Sequence, residues 1–138
     1  MKISVSSYSF INLFSESFTQ LDCIAKAKEL GFDAIEFSEI HAPKGTNPLA
    51  YAQKLKDECN RVGIPVSSLT IGADLLKDTK AEIARLKRMV DAAEILGAPI
   101  MRHDATRGDG RPFDTILPVL SYACKEITEY AASKGVKT

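Results

Sequence analysis

The sequence predicts an α/β fold of repeated βα units, and three observations carry the prediction. Four amphipathic stretches each end at a glycine and pass into a short apolar run: Leu30-Gly31-Phe32-Asp33-Ala34-Ile35-Glu36-Phe37, Val62-Gly63-Ile64-Pro65-Val66-Ser67, Leu96-Gly97-Ala98-Pro99-Ile100-Met101 and Lys134-Gly135-Val136-Lys137-Thr138. A helix closed by a left-handed glycine and followed by a strand has this signature. The glycines lie 32, 34 and 38 residues apart, about one βα unit each. The last apolar run has only begun when the sequence ends at Thr138, which reads as a repeat cut just after its fourth helix. Strict alternation implies parallel strands joined by right-handed crossovers.

Each element follows from local chemistry. Residues Lys2–Ser9 alternate and carry β-branched and aromatic side chains, which predicts the first strand. Thr19 with Asp22 makes a capping box for a helix from Gln20 to Leu30, with Leu21, Ile24, Ala27 and Leu30 on its apolar side. Ala34–Ile40 is the second strand. Asn47-Pro48, an N-cap followed by proline at the first helical position, starts the second helix, whose face is Ala52, Leu55, Cys59 and Val62. Pro65–Ile71 is the third strand. Thr79 with Glu82 reads as a second capping box, ahead of Ile83, Leu86, Val90 and Ala93 at helical spacing. Pro99–His103 is the fourth strand. The fourth helix begins near Asp114 or Thr115, which puts Pro118 in its first turn, and buries Leu117, Leu120, Cys124, Ile127 and Ala131.

Composition bounds the function classes. The 138 residues form a single predicted unit, 1–138. Eighteen Lys and Arg balance eighteen Asp and Glu, which argues against a nucleic-acid or membrane surface. No apolar run reaches the roughly 18 residues of a membrane span, and the opening Met-Lys-Ile-Ser-Val-Ser-Ser-Tyr is too short and polar for a signal peptide. Cys23, Cys59 and Cys124 all fall in predicted helices without metal-type spacing, so they read as reduced thiols and the protein as cytoplasmic.

Two architectures compete at this point: half of a (β/α)₈ barrel, and a doubly wound open sheet of four strands with a frayed fifth. The open sheet usually carries a glycine-rich first turn for phosphate. Here the first turn, Ser9-Phe10-Ile11-Asn12-Leu13-Phe14, has no glycine. In either architecture chemistry belongs at the C-terminal ends of the strands. The second strand places Glu36 and Ser38 on the face opposite Ile35 and Phe37. The fourth runs into three consecutive ionisable residues, Arg102, His103 and Asp104. An imidazole between a guanidinium and a carboxylate can bind a sugar hydroxyl or phosphate, relay a proton or hold a metal. The same residues also have plain readings: a solvated strand-end carboxylate, an Arg102–Asp104 pair and a hydrogen-bonded core histidine.

The runs Lys2-Ile3-Ser4-Val5-Ser6-Ser7-Tyr8-Ser9-Phe10, Ala27-Lys28-Glu29-Leu30-Gly31-Phe32-Asp33-Ala34-Ile35-Glu36-Phe37 and Leu96-Gly97-Ala98-Pro99-Ile100-Met101-Arg102-His103-Asp104 resemble the sugar phosphate isomerase/epimerase family, xylose isomerase-like TIM barrels whose superfamily also holds endonuclease IV. The resemblance spans essentially the whole chain and implies an N-terminal half-barrel of about four of the eight βα units. It implies a sugar or sugar phosphate as substrate, with metal-assisted proton transfer next to a carbonyl. It also implies a divalent ion (Mn, Mg, Zn or Co) whose ligands, like the acid/base glutamates, lie beyond Thr138. This chain alone is therefore expected to be inactive and to hold no metal tightly. Carried over are Glu36 and His103 as substrate-pocket residues, with Arg102 and Asp104 beside them. His103 is a weaker metal candidate, since a fourth-strand histidine is a zinc ligand in the endonuclease branch.

Three readings of function follow: the isomerase or epimerase half, a non-catalytic half-barrel that self-associates through open edges at its first and fourth strands, and an endonuclease IV-like phosphodiesterase, which the neutral charge disfavours. Two further features have no assigned role. Phe10, Phe14 and Phe18 in the first βα loop are either a lid over the pocket or rim packing. The loop Thr106–Pro112, with two arginines and two glycines, either captures an anion or is simply solvated; its Arg107-Gly108-Asp109 tripeptide reads as a turn.

Overall fold

The computed structural model describes residues 1–138. Its elements run β1 (Ser4–Ser6), a 3₁₀ helix (Ser7–Leu13), α1 (Gln20–Glu29), β2 (Ala34–Ser38), α2 (Pro48–Val62), β3 (Val66–Ile71), α3 (Thr79–Leu96), β4 (Met101–His103) and α4 (Phe113–Ser133). All strand pairs are parallel and the order is β1-β2-β3-β4. That is the order of a barrel wall, and it excludes the doubly wound alternative, whose order reverses at a switch point.

The two faces of the sheet differ in chemistry. Ile35, Phe37, Leu69, Ile71 and Met101 are fully buried against the helices. They join Ile24, Leu55, Leu86, Leu96 and Ile127 in one continuous core of 31 residues. The opposite face is concave. A hydroxyl–hydroxyl contact of 2.8 Å joins Ser4 of β1 to Ser67 of β3 across the intervening strand. Only the inner side of a strongly curved sheet brings such side chains together. A register shift between Ile35 and Glu36 adds one residue to β3, so Ser67 and Ser68 both turn toward this side.

Helix caps explain the element boundaries. Asp22 accepts the Thr19 N–H and hydroxyl, each at 2.7 Å, and Asn47 accepts Leu49 N–H at 2.8 Å. The expected Thr79 cap is corrected: Asp78 caps α3 by accepting Ala81 N–H, while the Thr79 hydroxyl donates to the Leu75 carbonyl. Asp78 wins because its carboxylate reaches the free N–H groups of the first turn from outside the helix. Gly97 closes α3 at φ +70°, with the Lys56 ammonium 2.9 Å from where a Cβ would stand.

Other boundaries shift as well. The first strand is shorter than its pattern, because Ser7 leaves extended geometry and its hydroxyl accepts Ser38 N–H at 2.9 Å. Helix α4 starts at Phe113, so Pro118 lies in its second turn, where it has no N–H for the Asp114 carbonyl. Its buried side is Ile116, Leu120, Ala123, Ile127 and Ala131: Leu120, Ile127 and Ala131 are as expected, while Ile116 and Ala123 take the places of Leu117 and Cys124. Leu117 is 43% exposed because no element covers that flank of α4. The edge of β4 is not fully open either. Lys137 bridges to Ile100, its N–H donating to Pro99 and its carbonyl accepting Met101 N–H.

Candidate functional site

The strand register sorts the side chains over the concave face. In-register neighbours on parallel strands share a face. The rows are Ser6–Glu36–Ser68, and Ser38–Thr70–Arg102 one level higher. The concave face of the four strands thus carries small hydroxyls, one carboxylate and one guanidinium. The Ser68 hydroxyl donates to the Glu36 carboxylate at 3.0 Å. A carboxylate has about four lone-pair positions, so Glu36 keeps most of its acceptor capacity for a ligand hydroxyl.

The fourth-strand triplet divides. Arg102 lies in the concave row and its guanidinium pairs with Asp104 at 2.7 Å; the two side chains are 64% and 40% exposed. A pair so open contributes about 0–1 kcal/mol to stability. His103 is level with Ile71, in the row that faces the helices, and it is half-buried. Its Nδ1 lies 2.9 Å from the Asp104 carbonyl. A carbonyl only accepts, so Nδ1 carries the hydrogen and Nε2 is the free nitrogen. Glu36 and His103, both expected in the substrate pocket, do not stand on neighbouring strands, since β3 separates β2 from β4. Glu36, Ser68, Thr70 and Arg102 share a surface, while His103 projects from the other side of its strand.

A divalent ion needs several converging donors. No group of three or more His, Cys, Asp or Glu side chains converges in this way among residues 1–138. The resemblance places the ligands of its divalent ion beyond Thr138, and no chemical step is routed through one here.

The sequence reading missed the rim above this face. Glu39 follows β2 with φ +60°, and its carboxylate accepts Gly72 N–H at 2.6 Å. Gln20, 1% exposed, ties the same region together by donating to the Glu39 carbonyl and accepting His41 N–H. On the other side of Gly72, Arg85 grips Glu82 through Nε and Nη2 and also donates to the Gly72 carbonyl. Hydrogen bonding to Arg85 holds the Glu82 carboxyl below its ordinary range. The i, i+3 spacing of Glu82 and Arg85 was visible as a helix pair. The left-handed Glu39 and the contact with Gly72 had no sequence signal.

The first-loop phenylalanines pack on the rim rather than form a lid. Phe10 is buried with its ring centroid 6.4 Å from that of Phe18, and Phe14 meets His41 edge-on at 5.2 Å. Phe14, Phe18, His41 and Tyr51, without Phe10, bound a cavity of about 430 Å³ between the first two βα loops. Tyr51 is 2% exposed, and its hydroxyl lies near Thr19 and the Leu21 backbone without a well-formed hydrogen bond to either.

This geometry, four parallel strands in sequential order with helices outside and a polar concave face within, is that of a half TIM barrel. The profile of the xylose isomerase-like TIM barrel family matches residues 24–138. The chain belongs to that family. No curated protein matches the sequence. Among solved structures, an L-ribulose 3-epimerase superposes with a TM-score of 0.76 at 20% identity, over 99% of this chain and 48% of its own. The 3-keto-D-glucoside 4-epimerase YcjR from E. coli gives 0.70 at 19% identity, covering 99% of this chain and 54% of its own. The probable 3-DHS dehydratase AsbF, involved in petrobactin synthesis in Bacillus anthracis, gives 0.68 at 20% identity, over 99% and 50%. At such identities the likeness concerns the fold. This xylose isomerase-like chain spans about half the length of the solved structures it matches. No helix in it is long and apolar enough to cross a membrane.

Proposed function

We propose that this half-barrel binds and positions a sugar or sugar phosphate in an isomerase or epimerase of the xylose isomerase-like family. The observation that carries the reading is the concave face itself. Ser68 donates to Glu36 at 3.0 Å while Ser4, Ser6, Ser38 and Thr70 surround the pair with hydroxyls. A barrel built only for stability fills this space with branched apolar side chains. A surface of hydroxyls and one carboxylate suits a polyhydroxylated ligand. The family match supports the reading, as do the neighbours described as sugar epimerases. The reaction class is proton transfer beside a carbonyl, with acid/base groups and any divalent ion supplied from outside residues 1–138. Glu36 orients substrate hydroxyls, and Arg102 with Asp104 borders the pocket. His103, on the side of β4 that faces the helices, stands outside this surface.

The test is a titration of the isotopically labelled 138-residue chain with ketoses and their phosphates, followed by NMR. Shifts concentrated at Glu36, Ser68, Thr70 and Arg102 are expected, with negligible turnover. Shifts absent from this face at saturating sugar would sink the reading.

A second reading, self-association, draws on one observation. Phe113, 66% exposed, and Leu117 lie four residues apart beside half-buried Cys124 on the uncovered flank of α4. Burying roughly 200 Å² of such surface contributes about 5 kcal/mol, near the low end of the roughly 4–15 kcal/mol that association costs. The polar concave face adds little to this. Pairing through α4 and the exposed strand edges is therefore weak, and a light-scattering mass that rises with concentration checks it.

A further inference from the structure

We propose that the cavity between the β3α3 and β4α4 loops is an oxyanion site that takes the phosphate or carboxylate terminus of a sugar. The inference rests on the sugar reading above and gives its substrate a charged end. The cavity measures about 320 Å³ and is bounded by Gly72, Asp74, Lys77, Glu82, Arg85 and Arg107. It holds three cationic groups, from three separate segments of the chain, against two carboxylates.

One of the cations is held in place and a second is brought in by its loop. Arg85 spends Nε and both Nη2 hydrogens on Glu82 and on the Gly72 carbonyl. A guanidinium has five N–H groups, so the two on Nη1 are left without a protein acceptor. The group is fixed in orientation yet keeps a free pair of donors, the arrangement that suits planar or tetrahedral oxyanions. Arg107 is brought in by its loop. Immediately before it, the Thr106 hydroxyl donates to Asp74 at 2.8 Å, and Leu75 N–H donates to the Ala105 carbonyl at 2.8 Å. These bonds pin the β4α4 loop to the β3α3 loop and deliver the Arg107 side chain to the cavity. Neither Arg107 nor Lys77 has a carboxylate partner of its own.

The carboxylates offset this charge but leave cationic donors free. Glu82 is neutralised by its two-pronged contact with Arg85. Asp74 accepts the Thr106 hydroxyl and Leu76 N–H. With the Glu39 carboxylate on Gly72 N–H counted, the formal charges around the cavity balance, and what it offers an oxyanion is the unspent donors of Lys77, Arg107 and Arg85 Nη1. The second arginine of the loop contributes none of these, since Arg111 is paired with Asp109. The position also suits an extended ligand. Gly72 lies four residues beyond Ser68 on β3, or about 13 Å along the strand. A sugar bound over Glu36 would have its far end toward this rim.

The experiment titrates the labelled chain with inorganic phosphate, fructose 6-phosphate, glucuronate and fructose, following the amides of Gly72–Lys77 and Thr106–Arg107 and the arginine Nε–H signals. Saturable shifts there with phosphate and fructose 6-phosphate are expected, weakening with salt. In the Lys77→Ala/Arg107→Ala variant the phosphate Kd should rise about tenfold, with an unchanged melting temperature, since both side chains are exposed and unpaired. Glucuronate acting as strongly as fructose 6-phosphate supports a general oxyanion site, and phosphate esters acting alone support a phosphate site. An unaltered Kd in the double variant, or phosphate shifts confined to other regions, would overturn the proposal. Fructose failing to move Ser68 and Thr70 while phosphate saturates this cavity would instead defeat the sugar reading and leave the oxyanion site standing.

Discussion

Replacement of Glu36 separates a ligand-binding carboxylate from a structural one. In the folded chain its one hydrogen bond is with Ser68, at 3.0 Å on the concave face. Removing the side chain in Glu36→Ala leaves the Ser68 hydroxyl open to water rather than buried, so the loss stays near the net value of one hydrogen bond, about 1 kcal/mol. For a chain of this size that lowers the melting temperature by about 3–4 °C. A sugar hydroxyl donating to the carboxylate forms a charge-assisted bond worth about 1.5–3 kcal/mol. Its loss weakens sugar affinity by roughly 10- to 150-fold, at about 1.4 kcal/mol per tenfold. Glu36→Gln keeps the shape and an acceptor and should fall between. The assay pairs calorimetric melting of each variant with an NMR titration against a ketose. A drop of about 10 °C or more with unchanged sugar shifts would show that Glu36 is structural and would refute the reasoning.

Tyr51→Phe removes a buried hydroxyl that makes no well-formed hydrogen bond with its neighbours Thr19 and Leu21, so stability to urea should rise by about 1 kcal/mol. An unchanged or lower midpoint would mean that the hydroxyl is satisfied in solution. Burial pushes the Cys23 thiol up to about 12 and the Cys59 thiol to about 11, so neither should react with a thiol reagent at pH 8 until the chain unfolds. Half-buried Cys124 should react first, and mass spectrometry of the labelled protein reads the order. Hydrogen bonds from the Thr19 backbone and hydroxyl hold the Asp22 carboxyl below its ordinary range. Its contribution is thus present above the unfolded value, near 3.8, and is lost as pH falls through the lower folded value. Asp22→Asn should flatten the acid limb of a melting-temperature profile, and an unaltered limb would remove Asp22 as its source.

The order of elements and the helix faces of α2 and α3 were legible because they depend on local chemistry. Asn47-Pro48 starts α2, and Ile83, Leu86, Val90 and Ala93 are all buried as their spacing indicates. Helix α4 was misread at two positions, Leu117 and Cys124, because its burial depends on which flank has a neighbour, and that is a tertiary fact. Leu117 and Cys124 satisfy helical spacing as well as Ile116 and Ala123 do, and only α3 on one side decides between them. At the site, alternation along β2 was enough to place Glu36. For β4 the triplet Arg102-His103-Asp104 looked like one cluster, but a strand sends consecutive side chains to opposite faces. Glu39 was invisible because a left-handed backbone at a non-glycine residue leaves no compositional trace.

The division of the sheet into two unlike faces explains why the half-barrel can fold while carrying so polar a surface. Its apolar core lies between sheet and helices, and every fully buried strand residue points that way. The concave side contributes little to that core, so serines, Thr70, Glu36 and Arg102 can stand there at small cost in stability. In a closed barrel the same face would line the interior and its C-terminal rim. The fold thus draws its stability from one face of each strand and leaves the other free for recognition, which is how one barrel wall can serve many substrates.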